Sequence, residues 1–152
     1  MALPPFQTFL DAHSAAIHRF LVAAVGPDEA DDALQETLIA ALRAYPRLRA
    51  GSNVRAWALA IARNKAIDAV RASGRRPAPV SDPDVAAHES ARSEGEVWAV
   101  VRELPPKQRA ALALRYAGDL RYRDVGEAMG VSEEAARRNV SDGLKRLREE
   151  LS

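Results

Sequence analysis

The sequence contains no cysteine, which excludes disulfide bonds and thiolate chemistry and fits a reducing cytosol. It also lacks a long apolar run: the longest, AWALAIA at residues 56–62, has seven residues, whereas a membrane-spanning helix needs about 20. The first residues, MALPPFQTFLDAH, show no basic segment followed by an apolar one, as an export signal would. We therefore expect a cytoplasmic protein that does not contact the membrane.

A strong net charge is absent as well, because the sequence contains 22 basic and 21 acidic side chains. The charges are nevertheless unevenly distributed. Residues 46–76 carry eight basic side chains and one acidic side chain, while residues 1–45 and 77–104 each carry two basic and six acidic ones. A basic segment of this kind can mark a nucleic-acid footprint and acidic ones a second partner, although uneven charge also arises by chance in helical proteins.

No pattern typical of a catalytic or metal site stands out. His13 and His18 are the only histidines close in sequence, and a spacing of five turns them about 140° apart on a helix, a poor geometry for one metal ion. There is no glycine-rich phosphate loop after a strand, and no pair of nucleophile and base. We therefore expect no cofactor, no metal and no enzymatic activity.

Nearly every segment has helical periodicity, and none shows the alternation typical of strands, so we predict an all-α fold. The exception is residues 74–95, which contain three prolines and few large apolar residues, as expected of a linker. The sequence therefore predicts two small helical domains, residues 1–73 and 96–152, joined by a linker at residues 74–95.

Prolines, glycines and capping residues predict where the helices begin and end. The first domain should have helices at residues 5–25, 28–45 and 54–72, with Asp28 capping the second and Ser52 or Asn53 capping the third. The second domain should have helices at residues 96–104, 107–117, 122–129 and 133–150. Expected core residues of the second and third helices are Leu34, Leu38, Ile39, Leu42, Trp57, Ile61, Ile67 and Val70.

The last two predicted helices flank the turn Gly-Val-Ser, a spacing typical of a helix-turn-helix. The final helix has an apolar stripe of Ala136, Val140, Leu144, Leu147 and Leu151. One position later, a basic stripe turned by about 100° contains Arg137, Ser141, Lys145 and Arg148. Such a helix could enter the major groove of DNA. The alternative is a solvated helix in which Asp142 pairs with Arg138 and Arg146, each four residues away.

Three stretches together resemble one protein family. ADDALQET at residues 30–37 resembles the polymerase-binding motif of bacterial sigma factors, and VRAWALAIARNKAIDAVR at residues 54–71 resembles their promoter-melting helix. LPPKQRAALALRYAGDLRYRDVGEAMGVSEEAARR, at residues 104–138, is similar to their C-terminal helix-turn-helix domain. The short linker matches the extracytoplasmic-function type of the sigma-70 family. The resemblance implies a subunit that binds core RNA polymerase and directs promoter recognition, promoter opening and transcription initiation, without chemistry of its own.

The resemblance also implies three sets of site residues. The clamp coiled coil of the largest polymerase subunit would be bound by Asp32, Gln35, Glu36 and Thr37. The downstream, minus-ten promoter element and its melted non-template strand would be bound by Arg49, Ser52, Asn53, Arg55, Arg63, Asn64, Lys65, Asp68 and Arg71. The upstream, minus-thirty-five element would be bound as a duplex by Arg115, Arg123, Arg137, Arg138, Ser141 and Lys145.

The last helix departs from the family pattern. Where many members have Thr-Val-Lys-Ser-Arg, this chain has Ala-Ala-Arg-Arg-Asn at residues 135–139, followed by Asp142. The resemblance therefore does not carry over the upstream sequence preference: this chain is expected to read the upstream element differently or to depend on it less. The resemblance also implies an anti-sigma protein as a partner. Two alternatives stay open: a sigma-like adaptor or decoy that binds an anti-sigma protein or polymerase without initiating, and a stand-alone helix-turn-helix repressor. The repressor would leave residues 35–37 and the basic third helix unexplained.

Overall fold

The computed structural model describes residues 3–49, 51–73 and 93–152. Within these ranges the chain forms α-helices and no strand, so the predicted all-α fold is confirmed. The helices are α1 Phe6–Val25, α2 Pro27–Ala44, α3 Val54–Ser73, α4 Glu94–Val101, α5 Pro106–Leu112, α6 Tyr122–Met129 and α7 Glu133–Leu151. Of the predicted linker, residues 74–92 lie outside the described residues, and residues 94–95 already belong to α4.

Capping residues set several of these helix ends. Asn53 caps α3, because its Oδ1 accepts a hydrogen bond from the Ala56 amide at 3.0 Å. Ser132 caps α7 in the same way, with its Oγ accepting from the Ala135 amide at 3.0 Å. The predicted cap of α2 was wrong. This helix begins at Pro27, directly after Gly26, and no side chain caps it. Asp28 lies inside the first turn, where its negative charge suits the helix dipole.

The predicted helix at residues 107–117 is divided in the structure. Regular α-helix ends at Leu112, and residues Ala113–Ala117 form one π-helical turn. The amide of Gly118 donates to the Ala113 carbonyl, five residues back, at 2.9 Å. Such a turn widens the helix locally and is often found at functional positions. Arg115, which belongs to the surface described below, lies in this turn.

The second domain contains the predicted helix-turn-helix. Gly130 ends α6 with a positive φ of 71°, a left-handed conformation that glycine adopts without strain. Helix α7 then packs closely on α5. A Cβ atom added at Gly143 would lie only 3.0 Å from Leu112 Cδ1, so glycine at this position allows the close approach. Ala136 and Val140 are buried beside it, as their apolar stripe predicts.

The core of the first domain combines large and small side chains. Ile17, Phe20, Leu21 and Leu59 are at most 1% exposed. Helix α3 contributes mainly alanines to this core, at positions 56, 58, 62 and 66. Trp57 packs edge-on against Phe9, with ring centroids 5.9 Å apart, and lies partly buried against the core rather than inside it.

The core prediction was wrong for two residues of α2. Ile39 is 50% exposed and Leu42 is 55% exposed, although both are large aliphatic side chains. Leu34 and Leu38 of the same helix are partly buried and pack against the core, as predicted. The apolar residues of α2 are therefore divided between the inside of the domain and its surface.

The two domains pack against each other. Helix α1 contacts the π-helical turn, and helix α3 contacts α6. One continuous core runs through both domains. Arg102, just after α4, extends Nη1 to the last turn of α1, where it donates to the carbonyls of Val22 at 3.2 Å and Ala23 at 3.4 Å. Burial lowers the pKa of Arg102. No helix of the described part of the chain is long and apolar enough to cross a bilayer.

Candidate polymerase- and nucleic-acid-binding surfaces

The predicted polymerase-binding residues on α2 do not all share one side of the helix. Asp32, Gln35 and Glu36 are exposed, and their spacing of three and four places them on one stripe. Thr37 lies on the opposite side. Its side chain is fully buried, and its hydroxyl donates to the Ala33 carbonyl at 2.7 Å. A partner cannot reach Thr37 in this structure, so we remove it from the predicted surface.

Two residues that sequence analysis assigned to the core extend this stripe. Ile39 and Leu42 continue the helical spacing of the exposed acidic and amide side chains, and both are about half exposed. The helical spacing of Ile39 and Leu42 from Asp32 could have indicated that both are exposed, but their hydrophobicity favoured a position in the core. We call the surface formed by these side chains the α2 face: Asp32, Gln35, Glu36, Ile39 and Leu42.

On α3 the structure divides the predicted DNA-binding residues among different sides. Asn64, Asp68 and Arg71 are exposed, and their spacing of four and three places them on one stripe. We call these three residues the α3 face. An amide, a carboxylate and a guanidinium group side by side provide donors and acceptors for base edges together with a cation for phosphate. Lys65 lies one step around the helix and is half-buried.

Arg63 is turned about 100° away from the α3 face, toward the second domain. With Ile67 and Val70 it lines a cavity of about 60 Å³, which Pro106 and Arg109 close from the other domain. Its Nε atom is buried and has no hydrogen-bond partner among the described residues. Arg63 is therefore less accessible to DNA in this arrangement than the sequence analysis assumed.

Arg55 also points away from the α3 face. Its Nε donates to Nδ1 of His13 at 3.4 Å, which requires an unprotonated imidazole nitrogen. Burial, and then the positive charge of Arg55, lower the pKa of His13 below its ordinary value of 6.5. Both effects keep His13 neutral and able to accept this bond, so Arg55 is held against α1.

The loop before α3 uses its polar side chains locally. Ser52 donates its hydroxyl to the Arg49 carbonyl at 2.7 Å, and Asn53 caps α3. Both side chains are half-buried, while the side chain of Arg49 is exposed. Ser52 and Asn53 therefore shape the loop, and Arg49 is its accessible cation.

Helix α7 presents to solvent all four of its side chains that were predicted to bind the minus-thirty-five element. Arg137, Arg138, Ser141 and Lys145 are all exposed, and we call them the α7 face. Arg137 is paired with Glu133, one turn earlier, at 3.5 Å. The alternative interpretation required Asp142 to bridge Arg138 and Arg146. Within the described residues Asp142 forms neither of these ion pairs, so the stripe is not neutralised by such a ladder.

A surface cavity of about 320 Å³ lies between the π-helical turn, α6 and α7. Its lining contains four arginines and only one carboxylate, so it favours an anion. The sequence predicted Arg115, Arg123 and Arg137 as DNA-binding residues. It did not predict Arg121, Tyr122 or Glu133 at this site. We call this site the arginine cavity, lined by Arg115, Arg121, Tyr122, Arg123, Glu133 and Arg137.

Tyr122 contacts two of these arginines. The guanidinium carbon of Arg137 lies 4.6 Å from the centre of the tyrosine ring, and that of Arg115 lies 5.0 Å from it. Arg115 also donates from Nη1 to the Leu120 carbonyl at 3.2 Å. A tyrosine at the first position of α6 carries no sequence signal for this role, because the partners come from elements that only the fold brings together.

Comparison with known proteins identifies the family of the chain. The chain matches the family models "Sigma-70 region 2" over residues 9–76 and "Sigma-70, region 4" over residues 94–147. It is 33% identical over 132 residues to the ECF RNA polymerase sigma factor SigC of Mycobacterium tuberculosis, covering 82% of this chain and 71% of that protein. It is 31% identical over 147 residues to SigM of Bacillus subtilis, covering 89% and 85%.

The fold is also that of a solved sigma factor. The structure of RpoE from Bartonella quintana, determined with the anti-sigma factor NepR, superposes with a TM-score of 0.76 at 23% identity and covers 97% of this chain and 96% of that one. Sigma factors are in general not enzymes. The chain therefore belongs to the extracytoplasmic-function sigma factors of the sigma-70 family, which bind RNA polymerase and promoter DNA and direct transcription initiation.

Proposed function

We propose that the three faces divide the work of transcription initiation. The α2 face docks on the clamp coiled coil of the largest polymerase subunit, and the α3 face, with the loop before it, holds the minus-ten element. The α7 face and the arginine cavity bind the minus-thirty-five element. One observation carries this assignment: each face exposes polar or charged side chains, while the opposite sides of the same helices form the shared core.

The composition of the α2 face supports protein docking. Interfaces combine an apolar centre with a polar rim, and here Ile39 and Leu42 adjoin Asp32, Gln35 and Glu36. The carboxylates suit a basic partner helix and orient its approach. The two aliphatic side chains supply apolar area that becomes buried on contact. Residues 1–45, with their six acidic side chains, match this role.

The α3 face supports binding of separated strands. Proteins that hold a melted strand combine cations for the phosphates with polar groups for base edges. Asn64 and Asp68 supply the polar groups and Arg71 supplies a cation, with Arg49 in the adjacent loop as a second. Arg55 and Arg63 are engaged at inner surfaces, so we assign them a smaller part in the first contact with DNA.

The α7 face supports readout of a duplex in the major groove. Arginine can bind guanine with two hydrogen bonds, while serine and lysine contact bases or phosphates. Asp142 lies next to this stripe and is exposed. Its carboxylate repels phosphate but can accept from a cytosine amine. We infer that Asp142 contributes to an upstream preference that differs from the common family pattern.

Regulation by an anti-sigma protein is the further part of this proposal. The similar structure of RpoE was determined with the anti-sigma factor NepR, and the two domains here pack against each other through α1, α3 and α6. A small protein encoded beside this gene is the first candidate. Co-expression should give a stable one-to-one complex that no longer assembles with core polymerase, and a complex that still assembles would contradict sequestration.

Charge reversal on separate faces tests the division of labour. Glu36→Lys should weaken assembly with core polymerase. Arg71→Glu should leave assembly intact but reduce strand opening, measured by permanganate reactivity of thymines in the minus-ten element. Arg19→Glu is the matched control, because Arg19 is an exposed arginine of the same domain outside the three faces. It should match the wild type in both measurements.

The same experiment can refute the assignment. Equal losses of assembly and strand opening in Arg71→Glu would mean that the α3 face is not a separate DNA surface. Normal assembly by Glu36→Lys, and by a second variant Ile39→Glu, would remove the α2 face from the polymerase contact. If the chain assembles with polymerase but opens no promoter, the decoy or adaptor hypothesis replaces initiation.

A further inference from the structure

The ring of Tyr122 holds arginines from two separate parts of the second domain. Arg115 comes from the π-helical turn, Tyr122 begins α6, and Arg137 comes from the first turns of α7. The two guanidinium carbons lie 5.0 and 4.6 Å from the ring centre, within the range of a cation–π contact. One aromatic side chain therefore connects two cations that are 22 positions apart in the sequence.

Two like charges near one ring repel each other unless other groups offset the repulsion. The π-face of the ring carries negative electrostatic potential toward both cations. The Leu120 carbonyl accepts from Arg115 at 3.2 Å, and the Glu133 carboxylate pairs with Arg137 at 3.5 Å. These contacts fix both arginines before any anion is present.

Their neighbours on the same surface are not fixed in this way. Within the described residues, Arg138 and Lys145 form no ion pair and no ring contact, and both are exposed. Long basic side chains lose much rotamer freedom when they bind a ligand, and a side chain that is already held loses less. Arg115 and Arg137 are thus preorganised, whereas Arg138 and Lys145 must become ordered on binding.

We propose that Tyr122 is a positioning residue for the upstream promoter element, acting through Arg115 and Arg137. The inference rests on the proposed role of the α7 face and the arginine cavity. Tyr122 sets the direction of both guanidinium groups, so that the cavity is in its binding geometry before DNA arrives. The tyrosine hydroxyl has no part in this, because the contact depends on the aromatic face.

Holoenzyme carrying Tyr122→Leu tests the proposal. Leucine keeps an apolar side chain against the core, where Tyr122 is partly buried, but removes the ring. The measured quantity is the ratio of affinities for a promoter fragment with an intact upstream element and for one with that element scrambled. Without the ring, Arg115 and Arg137 must become ordered on binding, and this should lower the ratio about fivefold. Tyr122→Phe keeps the ring and should stay within about twofold of the wild type.

Combining Tyr122→Leu with a substitution of Arg137 distinguishes a positioning role of Tyr122 from a general effect on stability. In an Arg137→Gln background one of the two held arginines is gone, so Tyr122→Leu should lower the ratio less than it does in the wild type. Tyr116→Leu is the matched control. The ring centre of Tyr116 lies 5.6 Å from the guanidinium carbon of Arg115 in the same turn, and Tyr116 is exposed. Among the described residues, the ring contact of Arg137 is with Tyr122 and not with Tyr116. It should show no such coupling.

Three results would overturn the proposal. An unchanged ratio in Tyr122→Leu would remove Tyr122 from binding, and a loss in Tyr122→Phe equal to that in Tyr122→Leu would assign the effect to the hydroxyl. An equal effect in both backgrounds, with a lowered melting temperature, would indicate a purely structural role. If wild-type holoenzyme does not distinguish intact from scrambled fragments, the proposed upstream function fails as well, so the two failures can be told apart.

Discussion

Arg102→Met should loosen the packing between the two domains. In the native chain Nη1 of Arg102 donates to two carbonyls at the end of α1, those of Val22 and Ala23, at 3.2 and 3.4 Å. A cation at a helix C-terminus is favourable, because the last carbonyls have few partners within the helix and the helix dipole is negative there. The Val22 carbonyl also accepts from the Gly26 amide at 2.9 Å. Methionine keeps much of the apolar stem and removes the charge and the donors.

The size of the effect follows from this geometry. A hydrogen bond from a charged donor contributes about 1.5–3 kcal/mol, but here one nitrogen serves two long bonds and the side chain is only half-buried. We therefore expect a loss of about 1.5 kcal/mol in the free energy of unfolding. For a chain of this size the melting temperature should fall by about 3–6 °C.

Urea unfolding measures this loss, with Arg148→Met as the matched control. Arg148 is an exposed arginine of α7, so its substitution should change stability by less than about 0.5 kcal/mol. Because the chain has no native cysteine, two introduced cysteines on α2 and α7 can carry fluorophores for energy transfer. Arg102→Met should increase the population with a long distance between the labels. Identical unfolding curves and distances for Arg102→Met and the control would refute the role of this contact.

Three further predictions concern packing, pH and the α7 face. Gly126→Ala should destabilise the chain by about 1–3 kcal/mol in urea unfolding, because the added Cβ would lie 2.8 Å from the Val131 carbonyl oxygen. Gly95→Ala is the control and should not destabilise the chain, because its added Cβ would lie 3.9 Å from Ser93 Oγ. The pKa of His13 is lowered in the folded state, so below pH 6.5 the unfolded chain binds more protons than the folded chain, and the free energy of unfolding should fall as the pH drops. The variant His13→Gln should flatten this dependence when unfolding is measured at a series of pH values. An unchanged slope would contradict the assignment. Asp142→Ala should leave stability within about 0.5 kcal/mol but shift the preferred upstream base, and an unchanged preference in a randomised promoter pool would exclude a role in readout.

Local chemistry made most of the helix ends predictable from the sequence. The bounds of α6 match the prediction, since Gly130 and Ser132 mark both sides of the turn. Asn53 caps α3 for the same reason. The start of α2 was misplaced by one residue, because a proline at the first helical position replaced the expected side-chain cap.

The division between core and surface was less predictable. Ile39 and Leu42 have the hydrophobicity of core residues, and only the positions of neighbouring helices decide that they are exposed. The buried face of α3 consists largely of alanines, which are common both inside proteins and on helix surfaces. Hydrophobic periodicity therefore identified the helices and the buried side of α7, but it did not fix which side chains of α2 and α3 form the core.

The exposure of the expected site residues was predictable where a motif lies on one helical stripe, and unpredictable where tertiary contacts intervene. Asn64, Asp68 and the basic stripe of α7 are exposed as expected. Thr37 instead forms a hydrogen bond inside the core, and the inward direction of Arg63 depends on the second domain. The contacts of Tyr122 could not have been predicted from the sequence, because its two partners meet only after α7 packs beside the π-helical turn.

Run-off transcription tests the central claim most directly. Core RNA polymerase from the source organism would be combined with the purified chain and promoter fragments of the same genome. We predict transcripts that start at defined positions, that require this chain and that weaken in the Glu36→Lys and Arg71→Glu variants. Assembly with core polymerase that yields no promoter-specific transcript from any fragment would contradict the account.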